Sequence, residues 1–204
     1  MTSLRRTQLH HHSHFPPELI AAARDCSISV CVPARDEAAT IASVVEPLVR
    51  LRSSGVVDQI VVVDASTDGT GEIAERLGAE VYSQGELMPQ FGAVLGKGDA
   101  MWRALSVLTG DVVCFVDADT EQFGPHFACG LVGPLVSDPA VQFVKGFYRR
   151  PFRLGDEVAP DGGGRVSELT ARPLLQLFYP QLADVRQPLA GEIAARRELL
   201  ERLP

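Results

Sequence analysis

The sequence lacks most of the features that would take a 204-residue chain out of the soluble globular class. No apolar run approaches the ~18 residues a bilayer span requires, because Asp, Gly or Pro cuts each one. The first fourteen residues carry Arg5 and Arg6 but no apolar stretch behind them, so no secretory signal is read there. The four cysteines, Cys26, Cys31, Cys114 and Cys129, form no C-x-x-C pair, which excludes a disulfide scaffold and a grouped structural zinc site. Lysine is nearly missing: Lys97 and Lys145 stand against seventeen arginines. A net charge of −7 argues against a general nucleic-acid binder. The expectation is a soluble, cytoplasmic protein with no membrane span.

What is present fits one domain or slightly more. The hydrophobic fraction of 46% supplies a core without staples, so disorder is excluded. Charge is uneven. Lys145 to Arg172 holds six basic residues against four acidic ones, leaving −9 on the rest. Such a segment suits a binder of small anions, or is a chance cluster of solvated arginines. His10, His11, His12 and His14 read as part of a mobile arm.

From Ile28 the pattern alternates strand and helix. Ser27–Val32, Gln59–Val63, Glu80–Tyr82 and Asp111–Val116 are the strands, and the apolar run at 59–63 suits burial on both faces. Helical spacing covers Glu37–Leu51, Asp68–Leu77 and about Lys97–Leu108. Repeated βαβ units imply an α/β fold with a mainly parallel sheet and helices on both faces. After residue 124 the pattern changes. A helix over 125–136 and a strand over 141–149 precede a Gly/Pro/Asp-rich stretch at 151–164, then helices at about Val166–Phe178 and Ala190–Leu203.

Ligands in such sheets bind beyond the carboxyl ends of the strands. Here those ends are Pro33-Ala-Arg-Asp-Glu37, Asp64-Ala-Ser-Thr-Asp68 and Asp117-Ala-Asp119, all carrying carboxylates. If strand geometry persists to Asp119, Asp117 and Asp119 point the same way and can share a hard cation, Mg²⁺ or Mn²⁺, with a substrate phosphate. Otherwise one of them caps a helix. Gly96-Lys97-Gly98 opens a helix and offers phosphate an ammonium, though the Walker spacing is absent. Gly162-Gly-Gly-Arg-Val-Ser167 is either a second anion site at a helix start or a linker with a capping serine.

Together with Val141–Pro151 and Pro188-Leu-Ala-Gly-Glu192, these segments resemble nucleotide-sugar glycosyltransferases of the GT-A fold. The resemblance is most specific to the glucosyl-3-phosphoglycerate synthases and their mannosyl relatives, and runs from about Phe15 onward. It implies a retaining, metal-assisted transfer of glucose from UDP-glucose to 3-phosphoglycerate. Pro33, Ala34, Arg35 and Glu37 are then the nucleoside frame, Asp64 and Ala65 lie in the turn reading the base, and Lys97 holds the nucleotide. Asp117 and Asp119 take the metal on the diphosphate. Gly164, Arg165 and Ser167 bind the acceptor. Glu192, near the sugar end, and Asp119 are the implied catalytic residues. Residues 1–26 become an N-terminal arm, 27–124 the nucleotide-sugar-binding subdomain, and 125–204 the start of the acceptor subdomain.

The turn at 64–68 is one residue shorter than the family's usual one. The resemblance also implies a chain that continues for roughly another hundred residues. That part supplies a His metal ligand, and often a homodimer contact. His126 is not its equivalent by motif. Two alternatives stay open: a mannosyl enzyme using GDP-mannose, and a nucleotide-sugar-binding fragment without catalysis. A nucleotidyltransferase lacks its usual Gly-rich loop here.

Overall fold

A computed structural model describes residues 8–120, 122–148, 152–154, 157–159 and 164–203, with 152–154 and 157–159 as backbone only. Gly162 and Gly163 of the Gly-rich motif, and Arg149, Arg150 and Pro151, lie outside the described residues. The chain divides into two units: His10–Lys145 with Gly191–Pro204, and Met1–Leu9 with Gly146–Ala190. The sequence break at residue 124 falls inside the first of these.

In the first unit, β1 (Ile28–Ala34), β2 (Gln59–Asp64), β3 (Glu80–Ser83) and β4 (Val112–Phe115) form the parallel part of a six-stranded sheet. Its order is β3-β2-β1-β4-β8-β5, with β5 at Phe143–Lys145 and β8 at Ile193–Arg196. β8 runs antiparallel to both neighbours, placing Cys114 opposite Ala194 and Val144 opposite Ala194 on the other side. The helix expected over Ala190–Leu203 is therefore wrong for its first half, and only α7 (Arg197–Leu200) is helical. Ala194 and Ala195 are fully buried, so pairing across two strands outweighs the helical preference of alanine.

Alternation along the strands sorts the core onto two faces. Val30, Val32, Ile60, Val62, Val112 and Cys114 face α2 (Ile41–Ser53) and α5 (Pro125–Ser137), whose Val44, Val45, Leu48 and Val132 are fully buried. Cys31, Val61, Val63, Val113 and Phe115 pack with Ala100 and Ala104 of α4 (Lys97–Ala104). Burial pushes the Cys31 and Cys114 thiols far up, and Cys129 up to about 11, so these are inert, protonated hydrophobes.

The histidine-bearing segment is anchored rather than free from residue 10 on. Phe15 (8% exposed) and Ile20 of α1 (Pro17–Ala23) join the first face, and the His12 ring lies 5.0 Å from His126 of α5. Gly133 makes this possible, because a Cβ there would overlap the Phe15 ring. No three His, Cys, Asp or Glu side chains converge on a metal position among the described residues. Among them, too, no helix is long and apolar enough to cross a membrane.

Four carboxylates tie the unit's edges together and set its acid response. Hydrogen bonds from Arg24, then from the Ile28 N–H, hold Asp58 below its ordinary value of 3.8. Asp68 is lowered first by the Thr70 hydroxyl, Asp99 by the Leu95 N–H, and Asp111 by the Ser27 hydroxyl. A depressed folded pKa means the unfolded chain binds protons first as pH falls. The stabilisation from these groups is complete above about pH 4–5 and is lost as pH drops through their folded values. Denaturant midpoints should therefore fall steeply below about pH 4. Asp58→Asn should flatten that fall; an unchanged slope would remove Asp58 from the account.

The second unit holds a strand pair, β6 (Phe152–Leu154) antiparallel to β7 (Glu157–Ala159). A helix follows, irregular over Ser167–Ala171 and regular in α6 (Arg172–Phe178). The Gln187 amide donates to the Tyr148 carbonyl and the Arg186 guanidinium stacks 4.9 Å over Phe147, which fastens the unit's two ends to each other.

Candidate functional site

The sheet order puts β1 in the middle, with β2 and β3 to one side and β4 to the other. The chain thus reverses direction of build between β1 and β4, and the crevice at their carboxyl ends is where such sheets take ligands. A cavity of about 260 Å³ lies there, lined by Pro33, Ala34, Arg35 and Glu37 from the end of β1, and by Asp117, Ala118 and Asp119 after β4. Gln84, Gly96, Lys97 and Ala100 complete it. Seven of the residues singled out from sequence meet in this one space.

The carboxylates do not arrive by the expected route. β4 ends at Phe115, and Ala118 and Asp119 form a turn, so strand alternation does not extend to Asp119. The turn still brings both carboxylates to the cavity wall. Asp117 is the more sheltered, with its side chain 17% exposed, and it pairs with the Lys97 ammonium. Lys97 is the first residue of α4 and stays 47% exposed.

The β1–α2 loop is laced to the β2–α3 loop ahead of α3 (Thr70–Arg76). Asp36 takes a left-handed backbone (φ 55°) while its N–H donates to Ser66 Oγ at 2.7 Å and its carboxylate accepts the Thr67 N–H at 2.9 Å. The Glu37 N–H donates to Thr70 Oγ1 at 2.9 Å, and the Ala38 N–H to Asp68 at 3.0 Å. These bonds fix the rim on which Arg35 and Glu37 stand. Asp64 and Ala65 do not line the cavity: Asp64 Oδ1 accepts the Ser66 N–H at 3.1 Å, and the Ala65 N–H donates to the Ala34 carbonyl at 3.0 Å.

Arg103 holds the long loop before α4. It is 1% exposed, donating to the carbonyls of Leu87 (3.0 Å) and Met88 (3.2 Å) and to Asp99 (3.2 Å). Asp99 in turn accepts the Leu95 N–H at 2.9 Å, which sets the turn leading into Gly96 and Lys97. Nothing in the sequence reading marked Arg103, though it follows Ala100 by three residues on the helix's buried face.

Gly191 stands in the Pro188–Glu192 segment quoted above, but with no role of its own. It belongs to β8's approach, and a Cβ there would overlap Asp117 Oδ1 and sit 2.9 Å from Lys97 Nζ. Main chain therefore lies directly against the carboxylate, and Glu192, 2% exposed, follows it. Gly164, Arg165 and Ser167 belong to the second unit. Gly164 has a left-handed backbone (φ 75°) and accepts the Glu168 N–H at 3.2 Å; Ser167, 8% exposed, lies inside the helix rather than capping it.

The donor set at Asp117 and Asp119 is all oxygen and only two side chains strong. That suits Mg²⁺ or Mn²⁺ completed by phosphate oxygens and water, and does not suit zinc.

The chain is similar to known proteins over most of its length. Residues 29–186 match the family model for glycosyl transferase family 2. Glucosyl-3-phosphoglycerate synthase of Mycobacterium tuberculosis is 47% identical over 191 residues, covering 92% of this chain and 59% of its own. The crystal structure of mannosyl-3-phosphoglycerate synthase from Rubrobacter xylanophilus superposes with a TM-score of 0.85 at 48% identity, over 93% of this chain and 61% of that one. A structure of the M. tuberculosis enzyme in complex with Mn²⁺, UDP-glucose and phosphoglyceric acid gives 0.78 at 42%, over 98% and 65%. The chain thus spans about three fifths of the length of these relatives.

Proposed function

We propose, for a chain that belongs to glycosyl transferase family 2 and is similar to the glucosyl-3-phosphoglycerate synthases, that it transfers glucose from UDP-glucose to 3-phosphoglycerate. The observation that carries this reading is the convergence of Lys97, Asp117 and Asp119 at the β1/β4 crevice. Pro33, Ala34, Arg35 and Glu37 frame the nucleoside, and Lys97 meets the diphosphate. Asp117 and Asp119 hold the metal, which when bound offsets the diphosphate's charge as it departs. Gly164, Arg165 and Ser167 take the acceptor, whose phosphate and carboxylate suit a guanidinium and a hydroxyl. Asp64 and Ala65, set back from the cavity wall, are kept as contacts for the base.

The anomeric carbon loses its bond to the diphosphate oxygen and gains one to the acceptor hydroxyl oxygen. With retention both events occur on one face of the sugar, so the departing diphosphate is the base closest to the hydroxyl proton and takes it. Glu192, buried next to Gly191 and set back from the cavity lining, is kept as the residue at the sugar end, acting from behind the Gly191 main chain. Orientation and charge complementarity supply most of the rate.

The test mixes folded protein, Mn²⁺, UDP-glucose and 3-phosphoglycerate, and measures UDP released. The expected result is release that requires both metal and acceptor. The likeness to a mannosyl-3-phosphoglycerate synthase makes GDP-mannose the second donor to assay. Release from GDP-mannose alone would reassign the donor. Metal-dependent UDP binding without turnover from either donor would leave a nucleotide-sugar-binding protein.

A further inference from the structure

The cavity holds three carboxylates, Glu37, Asp117 and Asp119, and two cations, Arg35 and Lys97. Lys97 does not stand apart from the metal position. Its ammonium pairs with Asp117 Oδ1, approaching a largely sheltered carboxylate with a side chain that is itself half in solvent. Against both the oxygen and the ammonium lies the main chain of Gly191, too close to admit a Cβ. A divalent cation that uses this oxygen must displace the ammonium. It would also find only two side-chain carboxylates, since among the described residues no third ligand converges there.

We propose that Lys97 is an internal counter-cation of Asp117 which makes metal and nucleotide bind cooperatively. The proposal rests on the metal reading of Asp117 and Asp119 given above. Metal alone competes with the ammonium and lacks ligands. A diphosphate changes both terms: it gives Lys97 another anion to pair with, and it gives the metal the oxygens it wants. The exchange is easy because a half-exposed ion pair is weak and Lys97 is flanked by two glycines, Gly96 and Gly98. Each ligand removes what opposes the other, and such coupling is reciprocal.

The experiment is a Mn²⁺ titration followed by electron paramagnetic resonance of the free ion, with and without UDP, on wild type, Lys97→Met and Lys97→Arg. In the wild type UDP should tighten Mn²⁺ binding by about 10-fold or more. Lys97→Met should bind Mn²⁺ alone about 5-fold more tightly than wild type while the tightening by UDP shrinks to about 2-fold or less. Lys97→Arg, which keeps the cation, should stay weak without UDP. A gain in affinity cannot come from misfolding, so a poorly folded variant does not mimic the expected result. If wild type takes up Mn²⁺ with UDP but Lys97→Met alone binds no better than wild type, the counter-cation role is overturned. If wild type takes up no Mn²⁺ even with UDP, the metal reading falls, and this proposal with it.

Discussion

Asp117→Asn is expected to weaken Mn²⁺-dependent UDP binding by about 100-fold or more, since even the loss of an outer partner of a metal ligand typically costs 10–100-fold. The substitution keeps the volume and removes one charge, at a position just past the end of β4. Its folded-state partner, Lys97, is half in solvent, so screening on that side holds the pair's contribution to about 1 kcal/mol. Thermal stability should therefore hold while binding collapses. Calorimetry with UDP, with and without Mn²⁺, reads the first quantity and a melting curve the second. Retention of tight, metal-dependent UDP binding by Asp117→Asn would place the metal elsewhere.

The second large effect is on stability. Arg103→Met leaves an apolar stem of similar reach in a site that is 1% exposed, but strips donors from the carbonyls of Leu87 and Met88. Removing one member of a buried charged network typically costs about 3–5 kcal/mol. For a chain of this size that is a fall in Tm of roughly 10 °C. The same loss frees the loop before α4, because Asp99 no longer has Arg103 to hold it against the Leu95 N–H. UDP affinity should drop in parallel through Lys97, and the loop should become open to proteolysis between Gln84 and Gly96. A variant that melts within about 2 °C of wild type would show that the carbonyls find other donors.

How far the sequence could be read depends on where each feature gets its energy. The β1, β2 and β4 runs are short segments rich in valine and isoleucine and buried on both faces, and such strands announce themselves locally. Their carboxyl ends carried the acidic motifs, so most of the cavity was legible before any fold was seen. β8 was not. Ile193-Ala-Ala-Arg196 leads into Arg-Glu-Leu-Leu200, helical by composition, and becomes a strand only because β4 and β5 leave a slot that needs backbone partners. Gly191 has the same character: its closeness to Asp117 joins residues more than seventy apart. Arg103 left a trace, a cation on the apolar stripe of α4, which a helical-wheel reading could have picked out. The anchoring of His10–His14 also escaped notice, because it depends on Phe15 finding a gap over Gly133.

The central claim is that Asp117 and Asp119 hold a divalent cation on the diphosphate of a nucleotide in the β1/β4 crevice. Crystals grown with UDP and Mn²⁺, measured for anomalous scattering, test it directly. One manganese peak is expected in contact with both carboxylates, with the diphosphate completing its ligands and Lys97 turned from Asp117 onto a phosphate oxygen. Ordered UDP in the crevice with no peak at these carboxylates would contradict it.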